Sequence, residues 1–123
     1  MKKCIMIMVL FLLSTSAFAT EISKKDWLNS MSTVLPTYLC QESQYFRQCF
    51  DITQKECEKV ALSATRICLE KEKSNIPVIL NQPKDGEYWG TIIGACVGES
   101  YEITLIKKKK DNPKCNDPKY WTK

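Results

Sequence analysis

Cysteine is the residue type in this chain whose number and spacing point most directly to chemistry. Thiols in a small protein serve either as metal ligands or as disulfide partners. Zinc sites use close C-x-x-C pairs, usually with histidine, whereas the closest cysteine spacing here is eight residues and the chain has no histidine. The pattern therefore favours disulfides, and no metal or other cofactor is expected. The six cysteines that follow Cys4 are Cys40, Cys49, Cys57, Cys68, Cys96 and Cys115.

Two side chains that enzymes often use for proton transfer or nucleophilic attack, histidine and free cysteine, are not expected in the mature protein. The absence of histidine removes the usual general base, and cysteines held in disulfides cannot act as thiolate nucleophiles. No G-x-S-x-G, phosphate-cradling glycine loop or calcium-loop spacing occurs. An enzyme is therefore not expected, and a carboxylate-dependent hydrolase is the lowest-ranked alternative.

Aromatic pairs and a lysine run are the remaining candidates for contact with a partner. Tyrosine and tryptophan are enriched at protein-binding hot spots, and a basic run can attract an anionic surface. The run also suits the solvated end of a helix, where cations complement the dipole. The residues chosen as a candidate partner-binding set are Tyr88, Tyr120, Trp121, Lys107, Lys108, Lys109 and Lys110.

The N-terminus carries the pattern of a secretory signal peptide. Lys2 and Lys3 precede an apolar run of about ten residues, and Ala17 and Ala19 supply the small residues of a cleavage site. The run is too short for a transmembrane helix, which needs about 20 apolar residues. Cleavage after Ala19 is expected, which places the mature protein in the bacterial periplasm or the medium, where disulfides persist.

Residues 20–123 are predicted to form a single disulfide-bonded domain. Removing Lys2 and Lys3 lowers the basic count from 18 to 16, against 14 acidic residues. The resulting net charge of about +2 is too small to indicate nucleic acid as a partner. No second apolar segment is long enough to span a membrane.

Apolar periodicity predicts an all-α fold, a small disulfide-stapled bundle of about four helices. The first helix is expected over 23–35, with Ser23 as N-cap and with Pro36 either ending or kinking it. An antiparallel hairpin of helices over 37–50 and 53–73 is expected next, the second opened by a capping box at Thr53.

A glycine-striped C-terminal helix is predicted over 86–106, with a loop-like tail over 107–123. Gly90, Gly94 and Gly98 recur every four residues, which would give a helix a smooth strip for close packing. Asp85 is the expected N-cap. The alternative over 91–106 is one or two strands, because the segment is rich in β-branched and aromatic residues.

The expected hairpin selects among the 15 disulfide connectivities that six cysteines allow. Cys57 and Cys68 lie about 16 Å apart along one helix, beyond the 7 Å that a disulfide can bridge. The same argument disfavours Cys40–Cys49. In an antiparallel hairpin the residue numbers of any two facing positions add up to nearly the same total, which predicts the bridges Cys49–Cys57 and Cys40–Cys68. Cys96–Cys115 is then the remaining pair. Since Cys40 and Cys49 would lie on opposite sides of an ideal helix, that helix is expected to begin after Cys40 or to bend between the two.

These features favour a small exported binding module that recognises another protein. Inhibitors, immunity factors and secreted host-directed factors all belong to this class. A carrier of lipid or another small ligand is the alternative, since disulfide-linked helices can enclose an apolar cavity.

Overall fold

Three long helices make up most of the fold, which a computed structural model describes over residues 20–122. The element order is β1 Thr20–Ser23, α1 Lys24–Leu39, α2 Tyr45–Gln48, α3 Gln54–Glu72, β2 Ile79–Gln82, α4 Lys84–Thr104, a 3-10 turn Ile106–Lys108 and α5 Pro118–Trp121. The predicted all-α bundle is confirmed, with the addition of one small sheet. The expected signal peptide, residues 1–19, lies outside the described residues.

Helix α3 is the centre of the bundle, since both α1 and α4 pack along it. One core cluster lies where all three helices meet and includes Trp27, Leu69 and Ile93. A second cluster surrounds Tyr101 and Phe50, where α2 and the C-terminal tail cover the ends of α3 and α4. The two clusters together account for most of the buried apolar side chains.

The start of α1 follows the prediction, and its end does not. The Ser23 hydroxyl accepts a hydrogen bond from Asp26 N at 3.1 Å, as expected for an N-cap. The helix then continues through the buried Pro36 to Leu39, where Cys40 N donates to Pro36 O at 3.2 Å. Proline has a helical φ, but its nitrogen cannot donate a hydrogen bond and its ring crowds the carbonyl four residues earlier, so Pro36 weakens the end of α1 without terminating it.

The predicted helix over 37–50 is wrong. The chain turns after Cys40, and a single helical turn, α2, follows before Cys49. Nine residues of ideal helix would place Cys40 and Cys49 on opposite sides, yet both are completely buried in the second core cluster. The chain must therefore turn between them.

Helix α3 starts where its capping box predicts, and α4 is a helix rather than strands. Thr53 Oγ1 accepts from Glu56 N at 3.1 Å. Helix α4 begins at Lys84, with Pro83 as its N-cap. The expectation that Asp85 caps it is wrong, because this carboxylate accepts from Asn81 N in β2, at 2.7 Å.

Only one of the three striped glycines lies at a close contact. A Cβ at Gly98 would lie 3.3 Å from Phe46 Cζ, while a Cβ at Gly90 or Gly94 would meet nothing within 4 Å. The strip therefore packs at its C-terminal end, against α2, and leaves open space at its other two positions.

The two strands form an antiparallel pair that sequence periodicity did not indicate. Thr20 pairs with Gln82, and Ser23 with Ile79. The described chain therefore starts within the sheet, and β1 leads directly into α1.

The disulfides are Cys40–Cys57, Cys49–Cys115 and Cys68–Cys96. All three predicted bridges, Cys49–Cys57, Cys40–Cys68 and Cys96–Cys115, are therefore wrong. Pairing across a helical hairpin requires a helix over 37–50, and the structure has no continuous helix there. The exclusion of a bridge between Cys57 and Cys68 is confirmed, since these two positions of α3 bond to different elements.

Each bridge joins a different pair of segments. Cys40–Cys57 ties the end of α1 to the start of α3, and Cys68–Cys96 joins the C-terminal part of α3 to the middle of α4. Cys49–Cys115 fastens the tail to the end of α2. The tail is therefore fixed to the second core cluster at Cys115.

Candidate functional site

The lysine run is a docked segment rather than the free end of a helix. Lys109 forms an isolated antiparallel bridge with Phe50. Asp51 N donates to Lys108 O at 2.8 Å, and Lys110 N donates to Cys49 O at 2.8 Å. These backbone bonds and the Cys49–Cys115 disulfide fix the direction in which each lysine side chain leaves the backbone.

The four lysine side chains consequently face different surroundings. Lys108 Nζ lies 3.5 Å from Glu56 Oε2, an ion pair that is half exposed on both sides. Lys109 Nζ lies 3.8 Å from Glu102 Oε1 and is less exposed. Lys107 and Lys110 are exposed. The run therefore does not act as one basic patch.

Lys109 belongs to a polar cluster that lies in a groove under the tail. Tyr45 of α2 donates its hydroxyl proton to Glu102 Oε1 of α4, and the Lys109 ammonium approaches the same oxygen. The groove has a volume of about 460 Å³. We call it the tail groove, and its lining residues are Tyr45, Glu102, Lys109, Cys115, Asn116, Pro118, Trp121 and Thr122.

The pKa values of two groups in the cluster, Tyr45 and Lys109, are raised. Burial, together with the hydrogen bond to Glu102, raises the pKa of Tyr45 above its ordinary value of 10.0. The pKa of Lys109 is raised chiefly by its hydrogen bond to Tyr45. A neutral phenol and an ammonium beside one carboxylate form a stable hydrogen-bonded set, whereas a tyrosine nucleophile would need the opposite shift in pKa.

Trp121 forms the aromatic wall of the tail groove. Its ring centroid lies 5.5 Å from that of Tyr45, with the two planes at 64°. Its Nε1 donates to Lys114 O at 3.0 Å, and the Lys114 ammonium lies 5.1 Å from the ring centroid. Tyr120 packs edge-on at 4.9 Å and remains 45% exposed. The short helix α5 thus holds the indole in one orientation.

A second concave surface runs between α3 and α4. A cleft of about 380 Å³ continues into a hollow of about 310 Å³, and the two share Ile67, Ser100 and Thr104. We call this surface the helix cleft. Val60 and Ala64 contribute to its apolar floor, with the Cys68–Cys96 disulfide at one end. The charged residues that line it are Glu56, Lys59, Lys71, Glu99 and Lys108.

Two isoleucines at the helix cleft are unusually exposed. Ile67 is 62% exposed and Ile103 is 67% exposed. Ile67 lies three residues after Ala64, which is buried, so the helical period places both on one face of α3. Ile67 lies at the edge of that face, where no other helix covers it. Together with the apolar floor, Ile67 and Ile103 give the helix cleft an exposed apolar surface.

The predicted partner-binding residues therefore separate into different places. Trp121 and Lys109 line the tail groove, and Lys108 lines the helix cleft. Tyr88 is 61% exposed and packs edge-on against Trp89 near the start of α4. It lies about 21 Å along that helix from Glu102, so the structure does not bring it to the tail groove.

The sequence did not indicate Tyr45, Glu102 and Ile103 as site residues. Tyr45 and Glu102 are 57 positions apart, and a pair so distant leaves no local pattern. The exposure of Ile103 depends on which part of α4 its neighbours cover, and a local pattern does not show that. The proximity of Tyr45 to the tail depends on the Cys49–Cys115 bridge, which the sequence did not predict.

Within residues 20–122, no helix is long and apolar enough to cross a membrane. The same part of the chain has no group of three or more histidine, cysteine, aspartate or glutamate side chains that could hold a metal ion.

Residues 21–109 match the family model described as "NttA: T2SS substrate NttA", where T2SS denotes the type II secretion system. The matched region contains the whole helix cleft, up to Lys108, and ends before the tail-groove residues that follow Lys109. No curated protein and no solved structure matches the chain.

Proposed function

The chain belongs to the family of T2SS substrates described as NttA, and from this premise we propose that it acts as a binding module that recognises another protein. As a T2SS substrate it passes through the periplasm and is secreted. The helix cleft is the feature that carries the proposal. It combines an apolar floor, exposed isoleucines and a charged rim, which is the usual composition of a protein-binding surface.

The dimensions of the helix cleft favour a helical partner segment. Its lining extends along α3 from Glu56 to Lys71, about 22 Å at 1.5 Å per residue. That length fits about four turns of an amphipathic helix, whose apolar face would cover Ile67 and Ile103. Docking of a helix into an apolar groove is a recurrent mode of recognition.

The chemistry of the chain supports a binding role over catalysis. The chain has no histidine, and the six cysteines of the described region are paired. The raised pKa of Tyr45 keeps its phenol protonated and disfavours a tyrosine nucleophile. These observations support a rigid scaffold that presents fixed surfaces.

Capture experiments with matched variants test the proposal. Three proteins would be immobilised and exposed to proteins of the medium or of host cells: the full secreted wild type and its variants Ile67→Asp and Val34→Asp. Val34 is 59% exposed on α1, so it is a matched control for an apolar residue outside the cleft. We expect a partner bound by the wild type and Val34→Asp and lost with Ile67→Asp, because a buried unpaired carboxylate is costly.

Equal capture by the two variants would contradict the role of the helix cleft, and failure of the wild type to capture any protein would contradict protein recognition itself. Circular dichroism of each variant verifies that the fold is retained.

We also expect secretion to remove the signal peptide after Ala19. The new N-terminus would then be Thr20, the first residue of β1, which pairs with Gln82. N-terminal sequencing of protein from the medium measures this directly. Any other start would contradict the expectation, and a start beyond Ser23 would also delete β1.

A further inference from the structure

The tail groove has the features of a second, independent binding site. It shares no lining residue with the helix cleft. Its volume of about 460 Å³ falls within the range of small-ligand sites. Its walls come from α2, α4 and the tail, three segments that the Cys49–Cys115 bridge and the backbone bonds of Lys108 and Lys110 hold together.

The formal charges in the tail groove cancel. Its lining contains one carboxylate, Glu102, and one ammonium, Lys109, which lie 3.8 Å apart. A ligand with a net charge would be attracted by one of these groups and repelled by the other. The pair therefore favours an uncharged ligand that can hydrogen-bond to both.

Hydrogen-bonding capacity remains at several positions around the tail groove. Asn116 donates its Nδ2 to Asp111 Oδ1 at 2.7 Å, which leaves its amide oxygen as an acceptor. Thr122 Oγ1 donates to Pro118 O at 3.1 Å and keeps its lone pairs. A carboxylate has about four lone-pair sites, of which the Tyr45 hydroxyl occupies one at Glu102. The groove can thus form hydrogen bonds with several hydroxyl groups of one ligand.

The aromatic wall selects the shape of the ligand. The Tyr45 and Trp121 rings meet at 64°, so they form an open corner rather than two parallel plates. A flat aromatic ligand needs a parallel slot for stacking on both faces. A thicker saturated ring can place one apolar face against the indole and direct its hydroxyl groups to the polar residues.

From this combination we propose that the tail groove binds an uncharged hexopyranose, the six-membered ring of a neutral sugar. Its C–H face packs against Trp121, while its hydroxyl groups bond to Glu102, Lys109 and Asn116. Sugar hydroxyls both donate and accept, which matches a site that offers carboxylate, amide and ammonium groups together. Carbohydrate recognition by this site goes beyond protein binding at the helix cleft and does not depend on it.

Titration with simple glycosides tests the proposal. The methyl glycosides of glucose, galactose, mannose and N-acetylglucosamine would be added to the ¹⁵N-labelled protein while the tryptophan indole N–H signals are recorded. We expect at least one glycoside to shift the Trp121 signal saturably, with a dissociation constant on the order of 1 mM. Trp27 is buried in the first core cluster, and its signal serves as an internal control. Glycerol, which has hydroxyl groups and no ring, should cause no saturable shift.

Two variants locate the site. Glu102→Gln should weaken binding about tenfold or more, because it removes a charged hydrogen-bond acceptor. Glu99→Gln lies one turn away on α4 and lines the helix cleft instead, so binding should be unchanged. The proposal is overturned if no glycoside shifts Trp121 saturably up to about 50 mM, a concentration well above the expected dissociation constant. It is equally overturned if Glu102→Gln binds as the wild type does.

Discussion

Tyr101 is the residue on which the second core cluster depends most directly. Its side chain is completely buried, and its hydroxyl donates to Phe46 O at 2.8 Å. Its ring packs edge-on against Phe46 and Phe50, with centroids 4.8 and 5.1 Å away. One side chain of α4 therefore satisfies a backbone carbonyl of α2 and fills the space between two aromatic rings.

Replacement Tyr101→Phe should lower the free energy of unfolding by about 1 kcal/mol, because it leaves the part-buried Phe46 carbonyl without its donor while keeping the ring. Urea unfolding followed by circular dichroism measures the change. Tyr88→Phe is the matched control, since Tyr88 is exposed and should tolerate the loss of its hydroxyl. Equal stability of the two variants would contradict the role given to the Tyr101 hydroxyl.

Stability should also fall at alkaline pH. Burial raises the pKa of Tyr101, and burial with the Glu102 hydrogen bond raises that of Tyr45 above 10.0. A raised pKa means that the folded state binds the proton more tightly than the unfolded state does. The stabilisation is complete below pH 10 and is lost as the pH rises through the raised values.

Unfolding measurements in urea between pH 8 and pH 11 would detect this decline, and Tyr45→Phe should make it shallower. A pH dependence unchanged in Tyr45→Phe would show that Tyr45 does not contribute.

At the residue scale, the sequence indicates individual side chains suited to binding, but it does not show which of them lie together in the fold. Trp121 and Lys109 were predicted as binding residues because their types are informative by themselves. Their neighbours Tyr45 and Glu102 became visible only in the structure, since the hydrogen bond between them joins residues 57 positions apart. The exposure of Ile67 was missed for a related reason: periodicity indicates which face is apolar, and tertiary packing decides how much of that face is covered.

At the element scale, the ends of α3 and α4 lie within two residues of those predicted, whereas α1 runs four residues beyond its predicted end. Helix α3 has a capping box and a regular apolar stripe, and both are local properties of the sequence. The helix predicted over 37–50 does not form. Its apolar residues are buried by a turn and by disulfide bonding, and such an arrangement leaves no helical period in the sequence. The strands were missed because each has four residues and its partner is distant in sequence.

Helix α4 offers a matched pair of glycine replacements. Gly90→Ala should raise the free energy of unfolding by about 0.5–1 kcal/mol, because its Cβ would enter open space and alanine favours the helix. At Gly98 the same Cβ would lie 3.3 Å from Phe46 Cζ, so the packing conflict should cancel or reverse the gain. Thermal and urea unfolding of the two variants measure the difference. A larger gain at Gly98 than at Gly90 would contradict the packing of α2 on α4.

At the scale of the whole molecule, the disulfides connect the ends of the fold to its centre. Their sequence separations are 17, 28 and 66 residues for Cys40–Cys57, Cys68–Cys96 and Cys49–Cys115. A cross-link restricts the unfolded chain more when it closes a longer loop. The bridge that fastens the tail should therefore contribute the most to stability.

Replacement of both Cys49 and Cys115 by alanine should lower the free energy of unfolding by about 4 kcal/mol, compared with about 3 kcal/mol for the Cys40 and Cys57 pair. Equilibrium unfolding of the two double variants gives the comparison. A greater loss for the Cys40 and Cys57 pair would contradict the dependence on loop length.

The arrangement of the disulfides protects the protein from losing fragments when a protease cleaves it. Every peptide bond between Cys40 and Cys115 lies inside at least one closed covalent ring, because the Cys40–Cys57 loop overlaps the Cys49–Cys115 loop. A single cut in this interval opens a ring and releases no fragment. The nicked chain can keep its helices, the helix cleft and the tail groove in place, which suits a protein that leaves the cell that made it.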